Sequence, residues 1–82
     1  MIVSAQVAVY PLRQDDLTPA ITAVGSALDE AGLHPDVGPM STRVTGEASA
    51  VFRALEEAFD RAAGLGQVVM TVTVSNACPV PG

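Results

Sequence analysis

Side chains able to do chemistry are few in this chain, and most stand apart. The single histidine, His34, lies between Leu33 and Pro35 in a turn-like stretch and reads as a surface residue. Cys78 has neither a glycine-framed elbow nor a nearby histidine, so it reads as a partly buried thiol near a sheet edge. One cysteine excludes an internal disulfide, and with one histidine it excludes the usual zinc sites. The carboxylate pairs Asp15-Asp16 and Glu56-Glu57 read as solvated surface. Gly64-Leu65-Gly66 precedes a strand, whereas a phosphate loop must open a helix, so it reads as a helix stop. None of this assembles a catalytic centre. What remains is a set of hydroxyls and amides at alternating positions: Ser4, Gln6 and Tyr10 near the start, Thr71, Thr73 and Ser75 near the end, then Asn76. An amide such as Gln6 or Asn76 matches a ring nitrogen beside an exocyclic amine, the geometry by which amides read adenine. Serine and threonine both donate and accept, and Tyr10 offers a ring for stacking. The same side chains would also suit a wet sheet face or a dimer contact.

Alternation sets the elements that must hold these groups. Ile2 to Tyr10 has Val3, Ala5, Val7 and Val9 on one side and Ser4, Gln6, Ala8 and Tyr10 on the other, a half-buried strand that Pro11 ends. Thr18-Pro19 reads as a helix start with Thr18 at the N-cap, Ile21, Val24 and Leu28 as the core stripe, and Gly32 as the stop. Gly25, inside that helix, suggests a close approach to the sheet. His34 to Pro39 reads as a short or edge strand and Met40 to Gly46 as another. A second helix runs from about Ala48 to Ala63, with Phe52, Leu55 and Phe59 at core spacing, Val51, Ala58 and Ala62 beside them, and Arg53, Glu57 and Arg61 pairing outside. Gln67 to Ser75 is the clearest strand, and the tail from Asn76 to Gly82 reads as irregular. Strand, helix, strand, strand, helix, strand is the ferredoxin-like βαββαβ order of an α+β sandwich. Both helices should cover one face of a four-stranded antiparallel sheet and leave the polar face open.

The chain has 82 residues, enough for a single domain over 1–82, and it is 49% hydrophobic and 16% charged. Mean hydropathy of +0.38 rules out a disordered chain and favours self-association. Four arginines against nine carboxylates give a net charge of −5, the wrong sign for nucleic acid or anionic lipid. No apolar run is long enough to insert in a membrane, and no signal peptide is visible. With one thiol and no bridge, the expected compartment is the cytoplasm.

Ala5-Gln6-Val7-Ala8-Val9-Tyr10-Pro11 resembles the opening strand of the YkoF-like thiamine/hydroxymethylpyrimidine-binding proteins. Ser41-Thr42 with Gly46, Val51-Phe52, and Val69-Met70-Thr71 follow in the same order, and Ser75, Asn76 and Cys78-Pro79 resemble that family's close. The resemblance covers nearly the whole chain, and its strength lies in the series, since no single piece is specific. It implies a ferredoxin-like binding protein and no enzyme. The ligand would be thiamine or its hydroxymethylpyrimidine half, in a role of vitamin uptake or salvage. By this resemblance Gln6, Ser41, Thr42, Thr71 and Asn76 would hydrogen-bond the aminopyrimidine, and Tyr10 would pack against a ring. No other cofactor and no metal is expected. The family's namesake resembles two such domains in tandem, so a homodimer or tetramer through the sheet face would replace the pair. A phosphate would need cations, and only Arg13 and Arg43 stand available, which favours the unphosphorylated vitamin. Two other readings stand beside it: a ligand-free oligomeric interaction module whose sheet face serves only for assembly, and a small enzyme of the dimeric α+β barrel type, which shares this strand order but would need an acid/base or cofactor ligand inside the barrel.

Overall fold

Ten residues of alternating pattern, Ile2–Pro11, form the strand β1 at the centre of the sheet. The computed structural model describes residues 1–38 and 41–77. In chain order the other elements are α1 (Thr18–Glu30), β2 (Asp36–Val37), β3 (Thr42–Glu47), α2 (Ala48–Ala63) and β4 (Val68–Ser75). The four strands form one antiparallel sheet in the order β2-β3-β1-β4, so the expected ferredoxin-like α+β sandwich is the fold. The readings of Cys78, of Met40 as a strand start and of the Cys78-Pro79 close lie outside the described residues.

Register follows from the valine side of β1. Ala5 opposes Val44 and Val74, and Val7 opposes Thr42 and Val72. Directly opposed residues share a face, so Val3, Ala5, Val7 and Val44 turn to the helices and are buried there with Val24, Leu28, Val51, Leu55 and a set of alanines. No helix is long and apolar enough to cross a membrane among the described residues.

Local chemistry departs from the sequence reading at several points. Thr18 is the first helical residue rather than the N-cap, and its free N–H donates to Asp16 Oδ1 at 3.0 Å. Gly32 does end α1. At φ +80° its N–H bonds the Asp29 carbonyl while the Leu33 N–H bonds that of Leu28, a Schellman closure. Gly25 approaches nothing, since a Cβ there would meet open space. Gly46 does have a packing reason: a Cβ would stand 2.8 Å from Leu33 Cδ2.

The helices bury small residues more than large ones. α2 turns Val51, Ala54, Leu55, Ala58 and Ala62 inward, while Phe52 and Phe59 remain 55% and 41% exposed on its flank. Ile21 on α1 is likewise at the margin, and Ala20, Val24, Ala27 and Leu28 are buried. Of the outer charges, Arg61 takes both partners. It bonds Glu57 at 2.8 Å within the helix and spans to Glu30 on α1 with a bidentate pair at 2.8 and 3.0 Å. That fork holds the Glu30 carboxyl below the usual range and raises the Arg61 guanidinium. It ties α1 to α2 at their solvent side.

Candidate functional site on the open sheet face

The face away from the helices is assembled by the same register. Gln6 opposes Arg43 and Thr73, Ala8 opposes Thr71, Tyr10 opposes Val69, and Ser4 opposes Thr45 and Ser75. On a pleated surface a small side chain among larger ones leaves a hollow. Ala8 is that small side chain, and a concavity of about 320 Å³ opens over it, lined by Gln6, Ala8, Tyr10, Ser41, Thr71 and Thr73. Its volume falls at the lower end of small-molecule sites, about 300–1,000 Å³. Gln6 and Tyr10 are four residues apart on one strand, which sets them roughly 14 Å apart along the floor.

Polar groups at one end of the hollow are already organised. Gln6 Nε2 donates to Ser41 Oγ at 3.0 Å. That bond leaves the Gln6 Oε1 as an acceptor and the Ser41 hydroxyl proton as a donor, side by side. Together they complement any heteroaromatic edge that offers an amine N–H next to a ring nitrogen. Thr71 and Thr73 supply hydroxyls on the β4 side, and Tyr10, 47% exposed, presents its ring at the opposite end.

Four of the six residues singled out from sequence therefore come together: Gln6, Tyr10, Ser41 and Thr71. Thr42 does not. It opposes Val7, points to the helices and is only 6% exposed, because adjacent residues of a strand face opposite sides. Asn76 does not either. It lies beyond the end of β4, its Nδ2 directed at Met1 Sδ at 3.5 Å, roughly 17 Å along the strand from Thr71. Ala8 and Thr73 also line the site: Thr73 is one of the hydroxyls read on the polar face but stands outside the ligand contacts that the resemblance implies, and Ala8 carries no polar group to single it out. The signal for both was the alternation itself, which puts them on the polar face.

A larger groove of about 510 Å³ runs between α1 and α2, lined by alanines with Glu30, Arg53, Glu57 and Arg61. One of its two cations, Arg61, is held by two carboxylates, and the alanine methyl groups that make up half of the lining offer no directional contact. The sheet face is the better site despite its smaller volume. His34 is exposed and outside both. Among the described residues no three His, Cys, Asp or Glu side chains gather as metal ligands would.

The YKOF-related family model matches residues 2–81. No curated protein matches the chain. Among solved structures, a protein of Streptococcus pneumoniae is 27% identical with a TM-score of 0.87, over 96% of this chain and 90% of that one. A hypothetical protein of Methanocaldococcus jannascii is 17% identical with a TM-score of 0.85, over 96% and 84%. A candidate thiamine biosynthesis/salvage protein of Thermotoga maritima is 19% identical with a TM-score of 0.81, over 92% and 83%. The last two likenesses speak for the fold. With the family match spanning almost every residue, the chain belongs to the YKOF-related family.

Proposed function

We propose that this protein binds thiamine or its hydroxymethylpyrimidine half on the open sheet face and serves vitamin uptake or salvage in the cytoplasm, as a binding protein rather than an enzyme. The observation that carries this reading is the Gln6–Ser41 hydrogen bond beside Ala8. It leaves one acceptor and one donor adjacent, the complement of an aminopyrimidine edge. The ring lies over Ala8, its exocyclic amine donates to Gln6 Oε1, and the Ser41 hydroxyl donates to the neighbouring ring nitrogen. Thr71 closes the β4 side, and Tyr10 packs against the far part of the ligand. Family membership supports the reading, as does the likeness to a protein named for thiamine biosynthesis or salvage. The lining of hydroxyls, one amide and one phenol suits recognition more than proton transfer. Assembly belongs to the proposal too: Tyr10 and Val69, opposed and exposed on this face, support a homodimer or tetramer that meets through it.

Isothermal titration with hydroxymethylpyrimidine and thiamine tests this. Saturable binding by the parent is expected, weakened in Gln6→Ala by ~1–3 kcal/mol, or roughly 5- to 150-fold. Equal affinity in Gln6→Ala, or no heat with either ligand, would overturn it.

A further inference from the structure

The chain has four arginines, and the structure distributes them unequally. Arg61 is held by Glu30 and Glu57. Arg53 lies on the helix side, in the groove between α1 and α2. Arg13 stands in the loop after β1. Arg43 alone is on the open face, and register puts it directly opposite Gln6, with Asp36 opposite it on the outer side and Thr73 on the far side of Gln6. Asp36, Arg43, Gln6 and Thr73 thus form one row across the sheet, next to the Ala8–Thr71 row that floors the hollow. Arg43 is exposed, and among the described residues no carboxylate comes within ion-pair distance of it, Asp36 included.

We infer that Arg43 is an anion subsite of the sheet-face site, so that the ligand held best is an aminated heteroaromatic ring carrying a phosphate ester directed toward β3. This rests on the aminopyrimidine reading above and names the substrate class within it. Neighbouring strands are about 4.8 Å apart, a gap the long arginine side chain spans easily. A guanidinium presents a planar fork that bonds two phosphate oxygens at once, which a hydroxyl row alone cannot do. The net charge of −5 opposes an anion only weakly at the site, because its field is screened over about 8–10 Å and Arg43 is the nearer charge. Asp36 lies one strand farther from the hollow than Arg43. The scarcity of cations in the sequence speaks for the unphosphorylated vitamin, but the position of Arg43 directly beside Gln6 outweighs it.

The test is titration of hydroxymethylpyrimidine and its monophosphate against the parent and Arg43→Gln, with thermal melts to show that both proteins are folded. The parent should bind the monophosphate about tenfold more tightly than the alcohol, the gain of one charge-assisted contact. Arg43→Gln should lose that advantage and keep the affinity for the alcohol. Equal affinities in the parent, or an advantage that survives in Arg43→Gln, would overturn the subsite while leaving the aminopyrimidine reading intact. Failure of the parent to bind either compound would remove that reading and the subsite with it.

Discussion

Ala8 has no chemistry of its own, yet the hollow exists because its side chain is a methyl group between Gln6 and Tyr10 on one strand and Ser41 and Thr71 on its neighbours. Ala8→Leu should therefore fill the floor and abolish ligand binding, with little change in melting temperature, since the added carbons point to solvent. Thr42→Val makes the opposite prediction. Thr42 is buried on the helix side, so the valine should leave the affinity as it is and register only in the melt. Titration and melting of both variants check this pair; loss of affinity in Thr42→Val would return Thr42 to the site. These two residues also mark how far a sequence can be read at this scale. Alternation along β1 sorted Gln6 and Tyr10 correctly, because nine residues of pattern leave no doubt about sides. Ser41-Thr42 sits at the start of a six-residue strand, where two adjacent hydroxyls read as a pair although a strand sends them to opposite faces. Ala8 was passed over because a concavity is a property of its neighbours.

At the scale of elements, the strand order, both helices and the Gly32 stop were legible, each marked by period or by a turn residue. The side-chain content of the helix faces was less so. Phe52, Leu55 and Phe59 have core spacing, but α2 packs through Ala54, Ala58 and Ala62 and leaves both phenylalanines on its flank. Val51, Ala58 and Ala62 stand beside that spacing in the sequence, and what only the packed structure shows is that the phenylalanines are displaced from the contact they flank. The Arg61 link between the helices has a pH signature. Glu30 is held below its ordinary value by the Arg61 hydrogen bonds, then by the charge. Its contribution is therefore present above the unfolded carboxyl value of about 4.3 and is lost as pH falls through the depressed folded value. The pair is exposed, so the effect is small. Glu30→Gln should melt slightly below the parent at neutral pH, and the two curves should converge in acid. A difference that persists at the lowest pH would mean the carboxylate acts by packing instead of by charge.

For the molecule as a whole, a composition this apolar favours association, and the open face gives that expectation a place. Val69 is exposed there, opposite Tyr10, and carries no polar group. Val69→Arg should shift the protein toward monomer in sedimentation equilibrium if copies meet through this face, because each arginine would have to be desolvated in the contact. A parent that sediments as a monomer would contradict the assembly.

An ¹⁵N–¹H NMR titration of the 8.4 kDa chain with hydroxymethylpyrimidine locates the ligand residue by residue. The largest shift changes should fall on Gln6, Ala8, Tyr10, Ser41, Thr71 and Thr73, with the Gln6 side-chain amide among them. Changes centred instead on Ala27, Ala31, Ala50 and Ala54, in the groove between the helices, would contradict the sheet-face site.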